Sequence, residues 1–412
     1  MRFGTLLFLA TACEGGQIAI DFGDTSKADT DTSTAGDTTD TTDTTDTTDT
    51  TDTTDTTDTT DTTDTTDPQP ATGPWCASGC TWSETDIATY GGGGLLFVAT
   101  SDADVAMGAD GFVRIGVADV FNLSADLYTE RRSGFDIAHL DDLERARQGL
   151  YIVSPAISLA LGANDAVYGL WSDTEWHYAV PQTQGWNITN EGGSPTVTTY
   201  PTNALYRDPN GLFHEFRLRG YRVGTPGGTW TDLPDAPDTV TDVAMDANGE
   251  ILALGYGSVD WSIHVFNGSS WRRRPISGTT LDTAAMTLNG AGQPVLAVQR
   301  VNDTEVQTMT WSSGSWTTER VSSNGAEYPK VDVALDAAGT RYVAFADDLE
   351  GLSLAWSDGN GWNESIVSST DADQVFMRIR PSGEPVIVAV NEGDPSGNLQ
   401  TLRIYRVASR GP

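Results

Sequence analysis

The chain has 412 residues, 58 of them acidic and 23 basic, so its formal net charge is −35 and its pI lies near 4.1. Such a chain has no electrostatic footprint for nucleic acid or anionic headgroups, and a hydrophobic content of 38% is low for a chain that packs throughout. No apolar stretch approaches the roughly 20 residues of a spanning helix, and three Cys are too few for a disulfide scaffold.

The chain opens Met1-Arg2-Phe3-Gly4-Thr5-Leu6-Leu7-Phe8-Leu9, followed by Ala10-Thr11-Ala12-Cys13-Glu14. One positive charge, a short apolar run and small residues are the order of a secretory signal. Ala10-Thr11-Ala12-Cys13 resembles the lipobox of bacterial lipoproteins. That resemblance implies removal of residues 1–12, acylation of Cys13 on sulfur, and a membrane partner reached through the lipid. Several acyl chains, at about 0.8 kcal/mol per buried methylene, hold firmly where one does not. In the lipoproteins it resembles, retention at the inner membrane usually needs Asp after the Cys. Glu14 therefore favours the cell outer membrane or surface. The alternative is an ordinary secretory signal with an incidental Cys.

Residues 13–74 carry almost no hydrophobic pattern, and from Asp37 to Asp67 Asp stands at every third position of an Asp-Thr-Thr repeat. A period of three fits neither helix nor strand. With no apolar residues to bury and like charges repelling, the segment is expected to be a disordered, extended tether. Fully stretched, it reaches on the order of 200 Å. Its triplet also resembles an acceptor motif for bacterial O-glycosylation, and its carboxylates could hold divalent cations loosely. It lacks the Gly turn and bidentate Glu of an EF-hand loop.

The folded part is expected to span 75–412. It begins with Cys76 and Cys80, three residues apart, which is not a redox Cys-x-x-Cys pair. Export would favour a disulfide between them, pinning the start of the fold. Residues 81–412 then read as an internal repeat. Asp242-Val243-Ala244-Met245-Asp246-Ala247-Asn248-Gly249 and Asp332-Val333-Ala334-Leu335-Asp336-Ala337-Ala338-Gly339 share a pattern of strand, turn and Gly. Seven such turns fall at Gly111, Asp165, Gly211, Gly249, Gly292, Gly339 and Gly383. Their mean spacing is about 45 residues, the length of a four-stranded propeller blade. A second marker, an aromatic opening a strand, also recurs seven times: Trp82, Phe135, Trp186, Trp230, Trp271, Trp316 and Trp362. The two markers are out of phase at the chain ends. The strand near Trp82 is therefore expected to complete the last blade beside Leu399–Val407, closing a seven-bladed, all-β propeller and removing open sheet edges.

Turns such as Asn267-Gly268 and Asp358-Gly359 supply the positive-φ residues of tight hairpins. Because a hairpin turn precedes a Trp, this stretch resembles the sialidase and Asp-box propellers. The order Ser-x-Asp-x-Gly-x-x-Trp is absent from these turns. The resemblance implies an Arg cluster, a Tyr–Glu pair and an Asp acid if the chemistry were a sialidase's.

No nucleophile elbow, P-loop or dinucleotide fingerprint is present, and His139, His177, His214 and His264 lack metal-ligand spacing, so no metal or cofactor is expected. Asp242, Asp246, Asp332 and Asp336 read as turn caps, Arg272–Arg274 as a solvated edge strand, and the marker aromatics as packing between blades. Trp171, Trp176 and Trp261 lie off the marker positions and are the candidate ligand-binding aromatics. Asp136–Leu140 reads as a strand rather than a helix. The function expected is a lipid-anchored propeller that binds a glycan, polymer or protein partner. A sialidase-like hydrolase or lyase and a structural envelope protein are the alternatives.

Overall fold

The computed structural model describes residues 75–76 and 80–410, apart from connections at 92–101, 120–123, 143–155, 173–174, 191–202, 258–259, 277–280, 301–303, 324–329, 348–350, 358 and 393–398. The expected signal, Cys13 and the Asp-Thr-Thr segment lie outside the described residues.

The described residues form seven four-stranded antiparallel sheets, with the strands of the first six blades in chain order from the inside outward. Blade 1 holds Asp102–Met107, Val113–Asp119, Ser124–Arg131 and Gly134–Asp142. Blade 2 holds Ala156–Leu161, Val167–Ser172, Trp176–Pro181 and Trp186–Asn190. Blade 3 holds Asn203–Arg207, Phe213–Arg217, Gly220–Gly224 and Trp230–Leu233. Blades 4, 5 and 6 begin at Thr239, Leu281 and Val331 and end at Pro275, Ser322 and Ser368. Blade 7 takes Gln374–Ile379, Pro385–Glu392 and Leu399–Arg410 from the C-terminal end. Its fourth strand is Cys80–Gly91, from the other end of the folded part. The innermost strands neighbour one another from blade 1 to blade 7 and back to blade 1, so the sheets form a ring, a seven-bladed β-propeller.

Both sequence markers have a physical role. The seven turns join the first and second strands of the blades. Six hold Gly at φ between 70° and 89°, a region a side chain strains to enter. The seventh holds Asp165 at φ 57. The Asp165 carboxylate accepts the N–H groups of Ala109 and Asp110 in the neighbouring turn of blade 1, which explains a side chain where the others have none. The seven aromatics sit at the outer strands. Each packs into the apolar layer between its own blade and the one before: Trp186 beneath blade 1, Trp230 beneath blade 2, and so on to Trp82, on blade 6. Phe135 occupies the layer between blades 7 and 1. Alternate residues of two facing sheets are thereby buried, and this burial is the main force holding the ring. Asp136–Leu140 lies within a strand, Gly134–Asp142.

The seam between blades 7 and 1 carries an ionic lock. Glu130 is buried, at 3% exposure. It accepts Val113 N (2.9 Å), Arg380 Nη2 (2.8 Å) and Arg406 Nε (2.9 Å), the arginines coming from blade 7. Within blade 7, Cys80 pairs with Arg410 and Gly91 with Leu399.

Cys76 and Cys80 form a disulfide, and Cys76 is buried in the layer between blades 6 and 7. Beside it Trp75 donates its indole N–H to Ser382 O (2.9 Å) and its backbone N–H to Tyr342 Oη (3.3 Å). Ser382 belongs to the first turn of blade 7. Strands alternate in direction, so the tight first-to-second and third-to-fourth turns share one face of the ring. The longer connections share the other. The folded part therefore begins on the tight-turn face.

Candidate functional site

The seven innermost strands surround a central channel of about 800 Å³. Its wall includes Asp102, Asp104, Asp242, Asp332, Lys330 and Arg378. An innermost strand has a sheet partner on one side only, leaving N–H groups on its other edge without a ladder partner. At one level of the channel those groups are taken up by four side chains. Asp104 accepts Val105 N and Leu159 N, both at 2.7 Å. Ser158 Oγ accepts Leu205 N at 3.0 Å. Asp242 accepts Val243 N at 2.7 Å and Met286 N at 3.2 Å. Asp332 accepts Val333 N and Met377 N, both at 2.7 Å. Each carboxylate caps its own strand and the next, so three Asp and one Ser serve seven blades. The corresponding positions in blades 3, 5 and 7 are Ala204, Ala285 and Phe376.

This corrects one expectation. Asp246 and Asp336 do cap turns, Asp246 Oδ1 accepting Asn248 N and Glu250 N, and Asp336 Oδ1 accepting Ala338 N and Thr340 N. Asp242 and Asp332 do not: they join blades. The signal for that role was the shared Asp-Val-Ala of Asp104-Val105-Ala106, Asp242-Val243-Ala244 and Asp332-Val333-Ala334.

Arg378 bridges three blades. Its Nη1 lies 3.0 Å from Asp332 Oδ2, its Nη2 3.8 Å from Asp104 Oδ1, and its Nε donates to Val105 O at 2.8 Å. Asp102 and Asp242 face the channel without such a contact to Arg378. Burial pushes both carboxyls up to about 7, helped by the charges of Asp104 beside Asp102 and Asp332 beside Asp242. A carboxyl that keeps its proton longer in the folded state stabilises that state at low pH, and the contribution fades as pH rises through about 7. Burial lowers the pKa values of His214 and His264, so the unfolded state binds protons near pH 6.5 that the folded state does not, and these two groups offset part of the fall. The expected result is a melting temperature that falls from pH 6.5 to pH 8. The double variant Asp102→Asn/Asp242→Asn should flatten that slope. An unchanged slope in the variant would refute the assignment.

The convergent Arg–Tyr–Glu set of a sialidase is not formed by the described lining residues, which include Arg378 but no Tyr or Glu. A Ser–His–Asp cluster does occur in blade 4. His264 Nε2 lies 2.7 Å from Asp238 Oδ2 and 2.9 Å from Ser262 Oγ. Both partners use the same ring nitrogen, and His264 and Ser262 have no exposure. A proton relay needs the carboxylate on the opposite nitrogen, so this cluster cannot pass a proton from Ser to Asp. His139 and His177 approach Asp126 and Asp141, and His214 lies 3.6 Å from Asp208. Among the described residues no group of His, Cys, Asp and Glu is arranged to hold a metal.

Trp171, Trp176 and Trp261 are buried, at 0%, 5% and 9% exposure. They belong to the layers between blades 1 and 2, 2 and 3, and 4 and 5, and none lines the channel. Arg272–Arg274 occupy the outer strand of blade 4. Arg272 and Arg273 pair with Glu250 and Asp260, and the guanidinium of Arg274 lies 5.4 Å from the centre of the Trp311 ring.

No protein-family model and no curated protein sequence matches the chain. Solved structures do. A catalytically inactive virginiamycin B lyase from Staphylococcus aureus, solved with quinupristin, is 10% identical, with a TM-score of 0.53 over 79% of this chain and 99% of that one. YCF48 bound to a D1 peptide is 13% identical, with a TM-score of 0.52 over 80% of this chain and 97% of that one. The NanB sialidase from Streptococcus pneumoniae is 10% identical, with a TM-score of 0.45 over 74% of this chain and 68% of that one. At such identities the likeness is one of fold, and propellers carry both binding and catalytic functions.

Proposed function

We propose that the chain is an exported lipoprotein, acylated at Cys13, whose residues 13–74 act as an acidic spacer. On this reading it presents the propeller for binding a glycan, polymer or protein partner. The observation that carries it is the clamp at Trp75 and Cys76. The folded part begins on the tight-turn face, held there by Trp75 and Cys76, so the chain enters the propeller on the side opposite the long connections. The lipobox residues Ala10–Cys13 supply the anchor in this reading, and the acidic propeller excludes nucleic acid as the partner.

Two measurements test it. Mass spectrometry of the mature protein should find an acylated Cys13 at the N-terminus; an unmodified residue other than Cys13 would remove the anchor. A glycan array followed by product analysis should show binding without turnover. Release of a shorter sugar would replace the binding module with a hydrolase or lyase.

A further inference from the structure

The channel wall is uneven around the ring. At the level of the capping carboxylates, blades 6, 7 and 1 contribute Asp332, Phe376 and Asp104, and Arg378 bridges the two carboxylates. Blades 3, 4 and 5 contribute Ala204, Asp242 and Ala285. A methyl group reaches less far into the channel than a phenyl ring or a guanidinium, so the free space lies against blades 3 to 5. Asp242 is the one carboxylate in that part of the lining. Its Oδ1 accepts Val243 N and its Oδ2 accepts Met286 N, and each oxygen keeps a second lone pair. No ion pair forms at Asp242 among the described residues.

Two residues earlier in the innermost strands, blades 1, 5, 6 and 7 place Asp102, Thr283, Lys330 and Gln374 in the lining. Lys330 immediately precedes Val331–Leu335, whose other end enters a tight turn, so it stands at the long-connection mouth. It is the only lysine of residues 75–412, in a chain with 58 acidic residues. Its side chain is exposed and makes no hydrogen bond or ion pair among the described residues. Lysine is a point charge on a flexible stem. An unpaired one at a cavity mouth is placed to take an anionic group from outside. Asp102, at the same level, is already engaged by Ile157 N and by the Gln374 amide.

A cavity of about 800 Å³ has the size of a small-ligand site. A polyanion entering it would meet Asp102, Asp104, Asp242 and Asp332, and a polycation would meet Lys330 and Arg378. A ligand with one charge of each sign matches both Lys330 at the mouth and Asp242 one strand step deeper, about 7 Å along the channel. That separation suits the two ends of a short peptide better than the adjacent charges of a single amino acid. Peptide amides also exchange hydrogen bonds with side chains such as Thr241, Thr283 and Gln374, which line the wall. We infer that the channel receives a short zwitterionic peptide from the long-connection side, with Lys330 holding its carboxylate and Asp242 its ammonium. The inference rests on the binding function proposed above and gives it a site and a ligand class.

The test is calorimetric titration of the full chain with trialanine, its C-terminal amide and its N-acetyl form. Trialanine should bind, and each blocked form should bind about tenfold more weakly. Lys330→Ala should lose the preference for the free carboxylate without shifting the melting temperature, and Asp242→Asn should lose the preference for the free ammonium. Lys330→Arg should keep both preferences, as should Arg320→Ala on the outer strand of blade 5. Reductive ¹³C-methylation retains the charge of lysine and labels Lys27 and Lys330. The Lys330 resonance should move on adding trialanine while that of Lys27 stays. Equal binding of all three peptides by the parent, or an unchanged preference in Lys330→Ala, overturns the site while the binding function stands. If trialanine does not bind while a glycan does, the peptide class is wrong. If neither binds, the binding function falls with it.

Discussion

Glu130→Ala should lower the unfolding free energy by about 3–5 kcal/mol, the usual penalty for breaking a buried ion pair by removing one partner. Glu130 is the one carboxylate that Arg380, Arg406 and Val113 N share at the seam between blades 7 and 1. Without it, two largely covered guanidinium groups and a backbone N–H lose their acceptor. Arg131→Ala provides the contrast. Arg131 pairs with Asp136, but both side chains are more than half exposed, and such pairs contribute at most about 1 kcal/mol. Urea titration measures both variants, and an unchanged m-value would show that the folded state was altered only in stability. A loss below about 1 kcal/mol for Glu130→Ala would mean that the apolar layer alone closes the ring.

Asp332→Ala should be comparably severe. It releases Val333 N and Met377 N together, and each unsatisfied buried donor costs about 1–3 kcal/mol. It also takes the 3.0 Å contact from Arg378. Asp332→Asn retains one acceptor oxygen in the same shape and should lose roughly half as much. The decisive readout is local: hydrogen exchange at the amides of Val333 and Met377 should accelerate in Asp332→Ala, while exchange in the outer strands of blades 2 and 3 stays slow. Full protection of those two amides in the variant would show that the carboxylate does not cap them.

The fold could be read from the sequence because its two markers are set by local physics. A turn that needs positive φ selects Gly at Gly111, Gly211, Gly249, Gly292, Gly339 and Gly383. A gap between two sheets selects a large aromatic at Trp186, Trp271 or Trp362. Each demand recurs once per blade, so counting either gives seven. The candidate site was less legible, since its contacts run between blades. Asp246 caps residues two and four places along the chain, and such a role can be read from neighbours. Asp242 reaches Met286, 44 residues on, and nothing local distinguishes it from a turn cap. Trp171, Trp176 and Trp261 stood out for lying off the repeat, yet they fill space that the repeat's own aromatics leave between blades.

The pairing of Cys80–Gly91 with Leu399–Arg410 sets an order of events for biosynthesis. The first described strand must wait for the last, more than 300 positions later. Until then blade 7 is a pair of orphaned edges, and the layers on either side of it stay open. Distant contacts of this kind form late, because the loop they close is long. The nascent chain therefore cannot lock into its finished shape while its C-terminus is still being made. Removing Leu399–Arg410 would take the sheet partner from Cys80–Gly91 and from Pro385–Glu392 at once.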